Sequence, residues 1–110
     1  MYLLDERFTL FESATSSGDS KEYVNTRAEN ITVQIEGDFS SASVEFLGKL
    51  NKDSEYQPIY LTINMNNGTV GNIATEPGVY VCDISGYKYF KLKLNSVSGS
   101  LSAYGRLTSI

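Results

Sequence analysis

The sequence predicts an all-β fold, an antiparallel two-sheet β-sandwich of the jelly-roll kind. Apolar and polar residues alternate along many short segments, as the two faces of a half-buried strand require. Turn-forming Gly, Ser and Asn residues separate these segments at roughly the 8–12-residue spacing that is typical of sandwiches and barrels. No segment shows a convincing helical period. We therefore expect seven to nine strands, with a barrel as the second possibility.

The clearest alternation lies in the last third of the chain, where we expect strands at residues 78–84, 87–94 and 101–107. Turns are predicted at Ser85-Gly86 and at residues 95–100. Gly86 and Gly99 each lie in such a turn and follow a serine, so we expect both at positive φ or at a close backbone approach.

The earlier part of the chain predicts further strands at residues 7–12, 21–25, 31–36, 41–50 and 57–64. Turns are expected at residues 37–40 and 65–72, and Asn67-Gly68 is the strongest short turn signal.

The alternation also predicts which side chains are buried. The predicted core consists of Ile31, Val33, Ile35, Val44, Phe46, Leu61, Ile63, Val79, Val81, Phe90, Leu92 and Leu94. A shift of one residue would exchange all inward and outward side chains of a strand, and residues 79–84 are the segment most open to this exchange.

The chain is expected to be a single domain over residues 1–110, with residues 1–6 as a candidate N-terminal arm. Its 41% hydrophobic and 20% charged residues exclude wholesale disorder. Asp5 and Glu6 interrupt the apolar start, so we expect no secretion signal. The lone Cys82 excludes an intrachain disulfide and is expected to pack as a small hydrophobic residue.

Composition argues against several functions. A net charge of −4 without a lysine or arginine cluster disfavours nucleic-acid binding, and no apolar run approaches the ~20 residues of a membrane span. The chain has no histidine, so we expect no enzyme, no cofactor and no metal site. The oxygen-bearing residues Asn51, Asp53, Glu55 and Asp83 could bind calcium, but their spacing favours a solvated acidic loop.

A set of glycine, serine and aromatic positions carries a family resemblance: Gly78, Tyr80, Asp83, Ser85, Gly86, Tyr89, Ser98, Gly99, Ser100, Gly105 and Arg106. Over residues 24–110 the chain resembles a small β-sandwich module of tailed-bacteriophage virion proteins, although residues 51–56 replace the usual Asp-Gly loop. The resemblance implies a non-enzymatic virion protein, made in the host cytoplasm. It would decorate the capsid, form a head fibre or join the tail or baseplate.

We also expect a homo-oligomer, with a trimer first and a dimer second, and contacts to other virion proteins. A small sandwich has a thin core and open sheet edges that a partner can cover. The apolar Tyr2, Leu3 and Leu4 are the candidate contacts for self-association or for the particle.

The alternative function is a carbohydrate-binding module for host-surface glycans. Small jelly rolls bind sugars with loops at one end, and Tyr56 and Tyr87 are the candidate glycan contacts. The absence of Trp, the best stacking residue, counts against this alternative.

Overall fold

The computed structural model describes residues 4–109 and contains ten antiparallel strands and no helix in that range. The strands are β1 (Leu4–Ala14), β2 (Gly18–Asp19), β3 (Tyr23–Val24), β4 (Asn30–Lys49), β5 (Gln57–Pro58), β6 (Thr62–Asn64), β7 (Val70–Gly71), β8 (Ile73–Ala74), β9 (Gly78–Asp83) and β10 (Tyr89–Ser109). The predicted antiparallel all-β fold is confirmed. Among these residues no helix is long and apolar enough to cross a membrane.

Two long bent strands, β4 and β10, organise the fold. They pair with each other along almost their whole lengths, from Tyr89↔Lys49 to Thr108↔Asn30. The register shifts between Leu94 and Ser96 and again between Ser98 and Gly99. Such bulges bend a strand and increase its twist. The predicted turns at 37–40 and 95–100 are therefore wrong, because both segments continue the strands as bends.

The bends depend on two glycines that face each other's strand. Gly37 has φ 137°, and a Cβ there would lie 2.3 Å from the backbone oxygen of Ser100. Gly99 has φ 118°, and its Cβ would lie 2.3 Å from the backbone oxygen of Asp38. The prediction for Gly99 is confirmed. The prediction for Gly86 is wrong, because its φ is not positive and its Cβ would meet open space.

The bends fold one hydrogen-bonded sheet into two layers. The first layer runs β1, the second half of β10, the first half of β4, β9, β6 and β7. The second layer joins the first half of β10 to the second half of β4, with β2 and β3 beside β10 and β5 and β8 beside β4. The two layers of the sandwich are thus continuous rather than separate sheets. The jelly-roll likeness stays a prediction.

The inward side chains of both layers form one core. Eight of the predicted core residues are fully buried: Ile31, Val33, Ile35, Val44, Phe46, Phe90, Leu92 and Leu94. The rings of Phe46 and Tyr80 meet across the layers, with centroids 5.9 Å apart.

Four predicted core residues, Leu61, Ile63, Val79 and Val81, instead face outward. Cross-strand register is the reason, because directly paired residues share a face of the sheet. Val33 pairs with Tyr80, and Ile31 pairs with Cys82, which turns Tyr80 and Cys82 inward. On the next strand, Thr62 and Asn64 pair with these two residues and are buried with them.

Candidate interaction surface

Strand β6, which lies between β9 and the edge strand β7, has the opposite polarity to that expected of a strand that packs on a core. Its inward side chains, Thr62 and Asn64, are polar and buried, whereas its outward side chain, Ile63, is apolar and exposed. Leu61 and Met65, which flank the strand, are also exposed, and Leu61 is 74% exposed. Because apolar burial is the main favourable term in folding, a strand that only served the core would place these residues inward.

Apolar side chains continue across the neighbouring strands, where Val70 is exposed and Val79 and Val81 are half-buried. Ile63 pairs with Val70 on one side and with Val81 on the other, so these three side chains form a row on one face. The backbone N–H of Met65 donates to the carbonyl of Val79 at 2.8 Å, which extends the row along β9. We call this surface the edge face; it comprises Leu61, Ile63, Met65, Val70, Val79 and Val81. Its apolar character makes it a candidate protein contact.

The edge face ends at β7, which closes the path of the first layer. This edge strand is only two residues long, and short edge strands are one way in which proteins limit unwanted strand pairing. A partner that contacted this region would therefore meet the side chains of the edge face rather than a long row of unpaired backbone groups.

Away from the edge, the same outer face becomes polar and charged. Gln34 and Tyr104 lie in register with Val79, and together with Arg106 they line a shallow depression of about 510 Å³. Beside it the guanidinium of Arg106 donates to both oxygens of Asp5, at 2.8 and 3.1 Å. These hydrogen bonds, and then the charges of Arg106 and Arg7, lower the pKa of Asp5.

The candidate glycan contact Tyr56 lies in a cluster of charged side chains. The ammonium groups of Lys49 and Lys91 each lie 4.5 Å from the centre of its ring, and its hydroxyl donates to Glu22. Burial, and then this hydrogen bond, raise the pKa of Tyr56. Cations already occupy the neighbourhood of its ring, so Tyr56 is not a free stacking platform.

Tyr87, the second candidate glycan contact, is half-buried beside β4. Its ring lies so close to Gly48 that a Cβ on that glycine would be 2.5 Å from the ring. Its backbone N–H donates to the carbonyl of Ile84, which closes the turn after β9. Tyr87 lines one surface depression and Tyr56 lines another, and glycan contact by either stays a prediction.

Part of the candidate arm belongs to the sheet. Leu4, Asp5 and Glu6 lie in β1 and pair with the last residues of β10, and Leu4 is only 8% exposed. Residues 4–6 are therefore part of a strand, and Leu4 packs within its own chain; an N-terminal arm that makes contacts stays a prediction. Tyr2 and Leu3 lie outside the described residues.

The oxygen-bearing residues considered for calcium do not assemble. Asp83 accepts hydrogen bonds from the hydroxyl and then the backbone of Ser85, which lower its pKa. Asp53 and Glu55 are exposed in the loop before β5. Within residues 4–109 no three acidic or thiol side chains are grouped as metal ligands. Cys82 is buried, and this burial raises its pKa to about 12.

Sequence reasoning missed the edge face because it placed the apolar parity of β6 in the core, and because both parities of β9 carry apolar residues. The available signal was the pair of polar residues, Thr62 and Asn64, between the apolar ones. It becomes informative only once the register with β4 is known, because that register selects the inward set.

Comparisons with known proteins agree with this architecture. The SPBc2 prophage-derived protein YomS superimposes with a TM-score of 0.86 at 24% identity, covering 96% of this chain and 93% of that one. The PBSX exported protein XepA superimposes with a TM-score of 0.89 at 22% identity, covering 96% of this chain and 38% of that one. The present chain thus spans little more than a third of XepA. No curated protein sequence matches it.

These two likenesses show that the fold is shared. The family model for XepA matches residues 5–107, which is nearly the whole chain. The chain therefore belongs to the XepA family.

Proposed function

We propose that this protein is a non-enzymatic structural component of a phage particle that assembles with copies of itself through the edge face. Its place would be on the capsid, as a decoration or head fibre, or on the tail or baseplate. The XepA family membership and the two similar prophage proteins support the phage association. The apolar edge face is the observation that carries the assembly.

The edge face is large enough to contribute substantially to association. Leu61, Ile63, Met65 and Val70 are between 40% and 74% exposed. Burying such a side chain completely gains about 1.5–3 kcal/mol, so the exposed fractions of these four side chains together are worth about 3–7 kcal/mol per copy. Two surfaces of this kind approach the estimated association cost of about 4–15 kcal/mol. We propose a closed trimer first and a dimer second, because closed symmetry buries the surface of every copy.

The charged side chains support a structural role. Asp19 pairs with Lys91 at 2.7 Å, and Asp5 pairs with Arg106. Asp83 is held by Ser85. Carboxylates that are tied in this way are solvated surface groups, whereas a general acid or base needs a pKa near the operating pH and a free approach to substrate.

The assembly is tested by the mass of two variants in light scattering. Leu61→Ser and Ile63→Ser remove apolar surface from the edge face without touching the core, and both should dissociate the oligomer. Val24→Ser is the matched control, because Val24 is 53% exposed on β3, in the other layer. An oligomer that is unchanged in both edge variants would contradict the proposed interface.

The place in the particle is tested by mass spectrometry of purified particles of the phage that encodes this chain. The protein should be present at a fixed copy number relative to the capsid or tail proteins. Because XepA is named an exported protein, the particle-free culture fluid is the fraction to compare. Finding the protein only in that fluid would contradict a virion role.

A further inference from the structure

The inward side of β6 borders a cavity of about 210 Å³ where β6, β7 and β8 meet the segment that leads into β9. Most of its lining side chains are hydroxyl-bearing or amide-bearing: Thr62, Asn64, Asn67, Thr69, Thr75 and Tyr80. Glu76 adds one carboxylate, and Ile73 adds one apolar wall. We call this cavity the polar pocket.

Asn64 is the buried polar anchor of the pocket, with 8% of its surface exposed. Its Oδ1 accepts from the backbone N–H of Asn66 at 2.9 Å. Its Nδ2 has one distant partner, the hydroxyl of Tyr80 at 3.5 Å. An amide nitrogen has two hydrogens to donate, and a buried donor without a good acceptor is costly. The side chain thus keeps donor capacity directed at the pocket.

Tyr80 supplies the complementary acceptor. Its hydroxyl hydrogen is donated to the backbone carbonyl of Glu76, at 2.7 Å, and its oxygen accepts only the distant hydrogen bond of Asn64, at 3.5 Å, which leaves acceptor capacity for an incoming donor. Asn67, at the rim of the pocket, likewise uses one of its polar atoms within the chain and keeps the other available. Its Oδ1 accepts from the backbone N–H of Thr69 at 2.9 Å, so that its Nδ2 is left to donate.

The remaining rim groups are also free to bind. Within residues 4–109 no hydrogen bond occupies the hydroxyls of Thr69 and Thr75 or the carboxylate of Glu76. Of the described residues, those that line the pocket include no lysine and no arginine. The pocket therefore offers neutral donors and acceptors together with one negative charge, and it disfavours anions.

We propose that the polar pocket binds one ring of a neutral carbohydrate. Its volume is below the ~300–1,000 Å³ of pockets for drug-sized ligands, which suits a single sugar unit. Adjacent hydroxyls of a sugar both donate and accept, as Asn64 and Tyr80 together require. The wall formed by Ile73 and the Tyr80 ring can face the C–H surface of the sugar. This places sugar recognition away from Tyr56 and Tyr87.

The inference does not rest on the proposed assembly, because the pocket and the edge face lie on opposite sides of β6. Side chains of successive strand residues point to opposite faces, so Asn64 can bind a ligand whether or not Ile63 is covered. Failure of one proposal therefore leaves the other standing.

The test is a titration of the full-length protein, labelled with ¹⁵N, against glucose, N-acetylglucosamine and, as an anion control, sodium sulfate. Binding of either sugar should shift the backbone signals of Asn64, Asn67 and Tyr80 saturably, with a dissociation constant in the millimolar range. Sulfate should leave these signals in place. Absence of a saturable shift with both sugars, or shifts that are not centred on the pocket, would overturn the proposal.

Variants assign the binding to the pocket. Asn64→Leu removes the buried amide and should weaken sugar binding by about tenfold or more, since a site built for hydrogen bonds loses affinity when one partner is removed. The double variant Thr75→Val, Glu76→Gln changes two exposed residues of the pocket and should also weaken sugar binding. This double variant serves as the test if Asn64→Leu does not fold. Thr26→Val, in the loop after β3, is the matched control. Equal affinity in the wild type and the pocket variants would overturn the assignment.

Discussion

Replacing Gly99 with alanine should strongly destabilise the protein, because this glycine allows β10 to bend against β4. At φ 118° a residue with a Cβ is strained by about 1–3 kcal/mol. The added Cβ would also lie 2.3 Å from the backbone oxygen of Asp38 and 2.7 Å from the Cα of Phe39. Because the obstacle is backbone, relieving it costs about another 1–3 kcal/mol. The expected loss is therefore about 2–6 kcal/mol, a large part of the ~5–15 kcal/mol of an ordinary domain.

Urea unfolding followed by far-ultraviolet circular dichroism measures this loss. Gly37→Ala is the sister variant and should lose a similar amount, since its Cβ would meet the backbone of Ser100. Gly86→Ala is the matched control, because a Cβ there meets open space, and its free energy of unfolding should change by no more than about 0.5 kcal/mol. If Gly99→Ala behaved like this control, the bent strand would not depend on glycine and the reasoning would be refuted.

Three further predictions concern the core and the surface. Phe46→Ala should lower the free energy of unfolding by about 2–5 kcal/mol, whereas Leu61→Ala should change it by less than about 1 kcal/mol; equal losses in urea unfolding would show that the outward assignment of Leu61 is wrong. Cys82 should react with a thiol reagent at the rate of unfolding, because it is buried with a pKa of about 12; rapid labelling of the native protein would contradict this. The pKa of Asp5 is lowered below 3.8 by Arg106, so their pair stabilises the fold above that pH and its contribution is lost as the pH falls through the lowered pKa. Arg106→Gln should therefore reduce the fall in Tm between about pH 5 and pH 2, and an unchanged fall would contradict the pairing.

The sequence predicts most of the core because some strands permit only one parity. In residues 31–35 and 90–94 the intervening residues are Thr, Gln and Lys, so Ile31, Val33 and Leu92 are the apolar set that can be buried. In residues 79–84 both parities are apolar, and the choice comes from pairing with β4, which no local pattern contains.

The bends show a different limit of sequence reasoning. Glycine at positive φ serves a tight turn and a bulge equally well. The flanking Asp, Ser and Asn residues therefore predicted turns at residues 37–40 and 95–100. Only the pairing of Gly37 with Leu101 and of Gly99 with Phe39 distinguishes one folded-over strand pair from separate hairpins.

The polar pocket and the edge face share one cause that local patterns do not reveal. Both follow from the inverted polarity of β6, whose Thr62 and Asn64 point inward. An alternating pattern shows that a strand has two unlike faces, but it does not show which of the two faces meets the core.

The mass of the unaltered protein in solution tests the central claim, self-assembly through the edge face, most directly. Sedimentation equilibrium over a range of micromolar concentrations should give three times, or failing that two times, the 12.1 kDa of one chain. A mass of 12.1 kDa at every concentration would contradict the assembly and with it the role proposed for the edge face.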